Sequence, residues 1–217
     1  MSELKTLLAK GLDELGVSLS EDQQRNLLVY RDLLARWNKT YNLTAIRDPK
    51  EQVVLHLLDS LAVSPLIPAG TTLILDVGSG GGLPGIPLAL MHPDIYFTLL
   101  DSNGKKSRFL THLLTQLPLA NVSVVHSRVE QFQPGGLFDV VISRAFSSLS
   151  LFWELTSPLC KTEGKLLAMK GKLSQQELDL LDDGLLISNQ ALCIPGVDAE
   201  RHLVVMKPHL KTDEQRL

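Results

Sequence analysis

Cysteine is scarce: the 217 residues include only Cys160 and Cys193, with no CxxC spacing. That argues against a disulfide framework and against common zinc-ligand patterns, and it points to a reducing, cytoplasmic setting. Long apolar runs are missing as well. No stretch nears the roughly 20 residues that span a bilayer, so no membrane partner is expected. The opening Met-Ser-Glu-Leu-Lys lacks the basic-then-apolar layout of a secretion signal. Positive charge is not in excess either: 21 Lys and Arg against 24 Asp and Glu give a net charge of −3. Nothing global announces nucleic acid, although a local basic face is compatible with an acidic average. Internal repeats and low-complexity tracts are absent. What is present, 44% hydrophobic and 21% charged residues, suits one globular unit with a small appendage and a core that needs no staples.

The first third reads as helical. Leu4, Leu7, Leu8, Leu12 and Leu15 form one apolar stripe that Gly16 stops. Ser20 and Gln23 have the spacing of a capping box. The helix they open carries Leu27, Tyr30, Leu34, Trp37 and Tyr41 at steps of three and four, an ordinary core-facing stripe. A third helix is expected from Glu51 to about Leu61, ended by Pro65 and Pro68. From Thr71 onward strand alternates with helix. Strands are expected at 73–77, 96–100, 122–126, 140–143 and 165–170, with helices at 84–91, 105–116, 149–159 and 174–182. This alternation predicts a mostly parallel sheet with helices on both faces. The tail differs: strand-like runs at 187–194 and 202–206, joined through Pro195-Gly196-Val197-Asp198, predict an antiparallel hairpin at a sheet edge. We therefore expect a helical segment at 1–68 packed on an α/β domain at 69–217.

Residues 73–85, Leu-Ile-Leu-Asp-Val-Gly-Ser-Gly-Gly-Gly-Leu-Pro-Gly, join the first strand to the next helix through a glycine turn. That layout brings backbone N–H groups to a nucleotide-like ligand at a helix N-terminus. Two cofactors compete for it. Gly80, Gly82 and Gly85 satisfy GxGxxG, with Asp101 about 20 residues further on, the nicotinamide dinucleotide pattern of an oxidoreductase. Asp76, Gly78, Gly80 and Gly82 equally form the D-x-G-x-G-x-G loop typical of S-adenosylmethionine (SAM) methyltransferases. A parallel sheet closed by an edge hairpin suits the second, and the chain is too short for a comfortable second substrate domain.

More specific segments flank this loop. Trp37-Asn38-Lys39-Thr40-Tyr41-Asn42-Leu43-Thr44, His56-Leu57-Leu58-Asp59-Ser60 and Leu83-Pro84-Gly85-Ile86-Pro87-Leu88 precede or overlap it. Leu100-Asp101-Ser102 with Lys105-Lys106, Arg128-Val129-Glu130, Ser143-Arg144-Ala145-Phe146 and Glu200-Arg201-His202-Leu203-Val204-Val205 follow. Together they resemble the ribosomal RNA small subunit methyltransferase G family, also called the glucose-inhibited division protein B family, across about residues 37–207. One departure is Gly81, which stands where the family commonly has proline. The resemblance implies a Rossmann-like SAM-dependent methyltransferase fold, with a seven-stranded mostly parallel sheet, an antiparallel C-terminal hairpin and N-terminal helices. It also implies methylation of N7 of a guanine in the 530 loop of bacterial 16S rRNA. The expected cofactor is SAM, the expected partner is 16S rRNA or the 30S ribosomal particle, and the expected state is a monomer. No metal is expected. A SAM enzyme with another substrate, the oxidoreductase, and an rRNA-binding assembly factor with a vestigial pocket are the competing readings.

The same resemblance assigns roles. Gly78 and Gly80 admit the backbone to the cofactor without a Cβ in the way, and Leu83 packs beside it. Asp101 accepts from the ribose diol, against the plainer reading of a helix-capping acid. Val129 and Glu130 meet the adenine, although an exposed Glu is most often just solvated. Arg144, at the carboxyl end of the strand Val140-Val141-Ile142, reaches the cofactor, the base or a phosphate as a positioning group; a structural ion pair is the alternative. Lys105, Lys106, Arg108, Lys170 and Arg201 are candidates for a basic rim that holds an RNA backbone, against a solvated charged face. Phe146, Tyr41 and Trp37 are candidate stacking partners for an unstacked base.

Two further absences narrow the chemistry. After the fourth strand there is no Asn/Asp-Pro-Pro-aromatic motif of amino-methylating enzymes. Cys160, placed in a helix, is not in the Pro-Cys context that pyrimidine C5 chemistry requires. N7 of guanine needs neither device, because its lone pair carries no proton, and alignment alone is worth up to roughly 7–11 kcal/mol.

Overall fold

The computed structural model describes residues 2–144, 146–182 and 184–209. Helix α1 spans Ser2–Leu15 and α2 spans Glu21–Tyr41. The capping box is formed: Ser20 Oγ accepts from Gln23 N, and Gln23 Oε1 accepts from Ser20 N. The Gln23 amide also donates to the carbonyls of Leu90 and Met91, so one side chain starts α2 and ties it to a later helix.

The third helical segment begins two residues earlier than expected, because Asp48 caps it through the N–H groups of Lys50 and Glu51. It runs as α3 (Pro49–Gln52), a π-helical stretch (Val53–Leu58) and α4 (Asp59–Leu61). The π stretch was not legible in the apolar periodicity.

Seven strands follow: β1 Leu73–Val77, β2 Tyr96–Asp101, β3 Val122–His126, β4 Phe138–Ser143, β5 Cys160–Lys170, β6 Leu186–Ala191 and β7 His202–Met206. Their order is β3-β2-β1-β4-β5-β7-β6. The first five are parallel and β7 is antiparallel to both neighbours, which bears out the mostly parallel sheet with an edge hairpin. The helices are α5 Gly85–Met91, α6 Gly104–Leu114, α7 Leu149–Thr156 and α8 Gln175–Asp179.

Several bounds move. Pro84 stands at the N-cap of α5, outside its first turn. Helix α7 stops at Thr156, since Pro158 permits only the 3-10 turn Ser157–Leu159, and Cys160 consequently begins β5 instead of lying in a helix. The last strand pair is joined by residues 192–201, a longer link than the Pro195–Asp198 turn.

Alternation along the strands builds a core on each sheet face. On one face Ile74, Val140 and Ile142 pack with Leu8, Leu27, Tyr30, Leu34, Ile86 and Phe109. On the other Leu75, Val77 and Val141 pack with Leu149, Phe152 and Met206. The N-terminal helices thus share the larger core with α5 and α6. Each fully buried leucine they contribute stabilises the fold by about 1.5–3 kcal/mol.

Candidate active site

Beyond the carboxyl end of β1 the chain turns through Gly78 (φ 71°), Gly80 (φ 60°) and Gly82 (φ 94°), a backbone that L side chains rarely adopt. A Cβ on Gly82 would lie 2.6 Å from Ile86 Cγ1 and 2.9 Å from Leu110 Cδ2. The loop is held from three sides. Gly78 N and Ser79 N donate to Leu100 O at 2.8 and 3.1 Å. Gly85 N donates to Asp76 Oδ2 at 2.9 Å, and the buried Tyr30 hydroxyl donates to Gly81 O at 2.7 Å. Burial of Asp76 raises its carboxyl to a pKa of about 7, and its Oδ1 has no partner among the described residues. Burial likewise drives the Tyr30 phenol well above its ordinary range.

Asp101 closes β2 and is 6% exposed. It accepts from Gly80 N at 2.8 Å and Asn103 N at 2.7 Å, while Lys106 Nζ stands 3.8 Å away. These groups border a cavity of about 380 Å³ whose wall includes Gly78, Asp101, Lys106, Val129, Glu130 and Phe146. The sequence-predicted cofactor residues Gly78, Asp101, Val129 and Glu130 therefore come together, and Gly80 adjoins them through Asp101. Leu83 does not line this cavity. It is buried in the larger core, because the glycine turn points it inward.

A second cavity, of about 330 Å³, takes the other predicted charges: Arg144, Lys170 and Arg201, with Asp59, Leu55 and Ile46. Arg144 follows β4, and its Nη1 donates to Asp59 Oδ2 and to Leu55 O, both at 3.1 Å. Arg201 Nε reaches the other oxygen of Asp59, also at 3.1 Å. Asp59 is 3% exposed, so one buried carboxylate joins two guanidiniums. The structural ion pair weighed for Arg144 is thus formed, and Arg144 borders this cavity instead of the one with Asp101.

Lys170 is not a free rim charge. Its ammonium pairs with Glu177 Oε1 at 2.8 Å and donates to Ser147 O at 3.1 Å. Glu177 also accepts from Leu149 N, so this lysine braces the loop behind β4 against α7 and α8. Lys106 faces the first cavity, whereas Lys105 is exposed and Arg108 folds back on Gly104 O at 3.1 Å. Of the aromatic candidates, Phe146 lines the first cavity. Trp37 packs against Phe109 and His112 of α6 at 5.6 and 5.3 Å between ring centroids, and Tyr41, exposed at the end of α2, lies tilted against the Trp37 ring at 5.2 Å.

One buried polar group, His56, adjoins the second cavity next to Leu55. His56 Nε2 lies 3.0 Å from Thr44 Oγ1, and burial together with the Arg144 charge lowers its pKa to about 4. Asp59 and Glu177 were not assigned any role from sequence. Asp59 stands in the segment His56–Ser60 that carries the family resemblance, and its other trace is a carboxylate set among Leu57, Leu58 and Leu61, where an apolar stripe has no need of a charge.

Comparison with known proteins places this geometry. Residues 23–204 match the family model described as rRNA small subunit methyltransferase G (GidB). The chain belongs to the rRNA small subunit methyltransferase G family. It is 53% identical over 201 residues to the enzyme of that name from Pseudomonas aeruginosa (strain LESB58), covering 92% of this chain and 94% of the relative. The Stutzerimonas stutzeri (strain A1501) protein of the same name is 53% identical with the same coverage, and the Pseudomonas putida (strain ATCC 700007) protein is 51% identical over 92% and 93%. Among solved structures, a SAM-dependent methyltransferase from Aquifex aeolicus superposes with a TM-score of 0.59 at 17% identity, covering 81% of this chain and 98% of that one. A precorrin-6y C5,15-methyltransferase from Geobacter metallireducens gives 0.54 at 16% identity, covering 69% and 87%. These structural likenesses concern the fold: this chain has the sheet of SAM-dependent methyltransferases.

Proposed function

We propose that this chain transfers a methyl group from SAM to N7 of a guanine in the 530 loop of bacterial 16S rRNA. Membership of the rRNA small subunit methyltransferase G family carries the reaction class and the ribosomal substrate. The residues of the first cavity fit the cofactor. Gly78 and Gly80 offer backbone with no Cβ, and Asp101 keeps lone pairs for a ribose diol after accepting from Gly80 and Asn103. Val129 and Glu130, on the wall of the same cavity, are the residues we assign to the purine. SAM, when bound, supplies an electrophilic methyl group.

The N7 assignment is supported by the state of three groups that other methylation chemistries would call on. His56 is buried against Thr44 and poorly basic. Cys160 begins β5 with its thiol pushed up to about 12, chiefly by burial. Asp59 is bound by two guanidiniums. None of these is a poised base or nucleophile, and N7 requires none because it attacks through a lone pair without losing a proton. The chain's task is then to hold the base in line, worth up to roughly 7–11 kcal/mol.

Chemical cleavage at N7-methylguanine followed by primer extension tests this in rRNA from cells with and without the protein. We expect one stop in the 530 loop that disappears in the deleted strain and returns on complementation; an unchanged stop refutes the assignment. In purified enzyme, Asp101→Ala is expected to weaken SAM binding about tenfold to a hundredfold, the scale of a lost charge-assisted hydrogen bond. Calorimetry with SAM measures it.

A further inference from the structure

The Asp59 carboxylate joins three distant parts of the chain: the helical segment ending in α4, the end of β4 and the start of β7. It spends Oδ2 on Arg144 and Oδ1 on Arg201, each at 3.1 Å. Arg144 is further fixed by Leu55 O at 3.1 Å, a carbonyl within the π stretch Val53–Leu58. Arg201 is further fixed by Glu200 O at 2.9 Å. Each guanidinium has five N–H donors in a rigid fork. Arg144 spends one nitrogen on its two acceptors and Arg201 spends two, one on each. Both side chains stay partly open, at 28% and 25% exposure, and both line the 330 Å³ cavity. Lys170, the third cation there, is neutralised by Glu177. Counting Asp59, the two arginines leave the cavity one net positive charge.

We propose that this Asp59-bridged arginine pair is a receptor for a single RNA phosphate next to the modified nucleotide, and that Asp59 is the residue that positions it. The proposal rests on the RNA substrate advanced above. The chemistry favours a phosphate over a base edge. An arginine bidentate to guanine O6 and N7 occupies the atom that must attack. Alkylated N7 also leaves the ring cationic, so a guanidinium beside it would oppose the reaction. A phosphate uses the same forked donors and carries the complementary charge. By tying both guanidiniums to one carboxylate, Asp59 fixes their separation and prevents either from swinging onto the base.

Phosphate-ethylation interference tests this directly. Naked 16S rRNA, or 30S particles reconstituted from it, carries sparse ethylnitrosourea phosphotriesters, and methylated and unmethylated molecules are separated after reaction. With wild-type enzyme we expect exclusion of ethylation at one or two phosphates flanking the modified nucleotide. With Arg201→Gln, used at raised enzyme concentration, exclusion at one of those positions should vanish while the others persist. An identical pattern in both enzymes, or no interference beside the modified nucleotide, overturns the proposal. In parallel, Asp59→Asn should raise KM for RNA about tenfold with kcat within about threefold, the signature of lost uniform binding. A fall in kcat at unchanged KM overturns the positioning role. SAM calorimetry on each variant reads the separate first cavity and reports whether the fold persists. The position of the methyl group is mapped in the same RNA, so a wrong modified atom and a wrong phosphate contact are told apart.

Discussion

Gly85 has Asp76 behind it and Leu99 beside it. A Cβ there would lie 2.7 Å from Asp76 Oδ2 and closer still to Leu99 Cδ2. Its own N–H is the donor that holds Asp76 Oδ2 at 2.9 Å. Gly85→Ala is therefore expected to cost about 1–3 kcal/mol by overpacking, a shift of several degrees in Tm for a chain of this length. It should weaken SAM binding as the loop moves. Scanning calorimetry and SAM titration read both effects, and a variant with wild-type Tm refutes the argument. At this scale the glycine loop and Asp101 were legible, because their spacing is itself the signal. Asp59 with Arg144 and Arg201 was not: those pairs lie 85 and 142 positions apart, and local periodicity does not record tertiary pairing. Lys170 lies on the same rim as Arg144, as its strand end predicts, but its ion pair with Glu177 was not legible, since Glu177 belongs to another element.

At the scale of elements, the strands were readable from their apolar runs, and most errors fall at their ends. β4 and β5 both begin earlier than expected, at Phe138 and Cys160. Those extensions are held by side-chain chemistry that hydrophobicity does not display. Asp139 Oδ2 accepts from Thr72 N, Thr72 Oγ1 and Leu73 N at 2.9, 2.8 and 2.9 Å, and Oδ1 meets Lys161 Nζ at 2.6 Å. One carboxylate thus anchors the starts of β1 and β5 to β4. Burial works against its charge, but Lys161 and the Thr72 and Leu73 donors hold its pKa well below the usual carboxylate range. A depressed folded-state pKa adds stability that is present above the unfolded value, near 4, and is lost as pH falls below it. Asp139→Ala should lower stability at pH 7 by about 1–3 kcal/mol, the cost of orphaned donors. The gap from wild type should narrow in acid. Urea unfolding at pH 7 and pH 3 checks it, and a gap that widens at pH 3 contradicts the assignment.

Across the whole molecule, two buried groups bind protons in opposite senses. His56, on the N-terminal helical segment, is held down to about 4 by burial and by the Arg144 charge. Its folded pKa lies below the unfolded value near 6.5, so its contribution is complete above 6.5 and is lost as pH falls toward 4. Asp76, at the glycine loop, is raised to about 7 by burial, against the lowering pull of Gly85 N–H and Arg144. Its contribution is complete below the unfolded value near 4 and is lost as pH rises to 7. Each shift spans two to three units, on the order of 3–4 kcal/mol, and the signs oppose. Wild-type stability should therefore vary little between about pH 4.5 and 6.5, although either group alone would tilt it. His56→Gln keeps a polar partner for Thr44 and removes one arm, so its stability should decline steadily as pH rises through that window. Asp76→Asn removes the other, and its stability should decline as pH falls. Urea midpoints for the three proteins across a pH series decide the matter. Two variants with profiles as flat as wild type would mean that neither buried group exchanges a proton on unfolding.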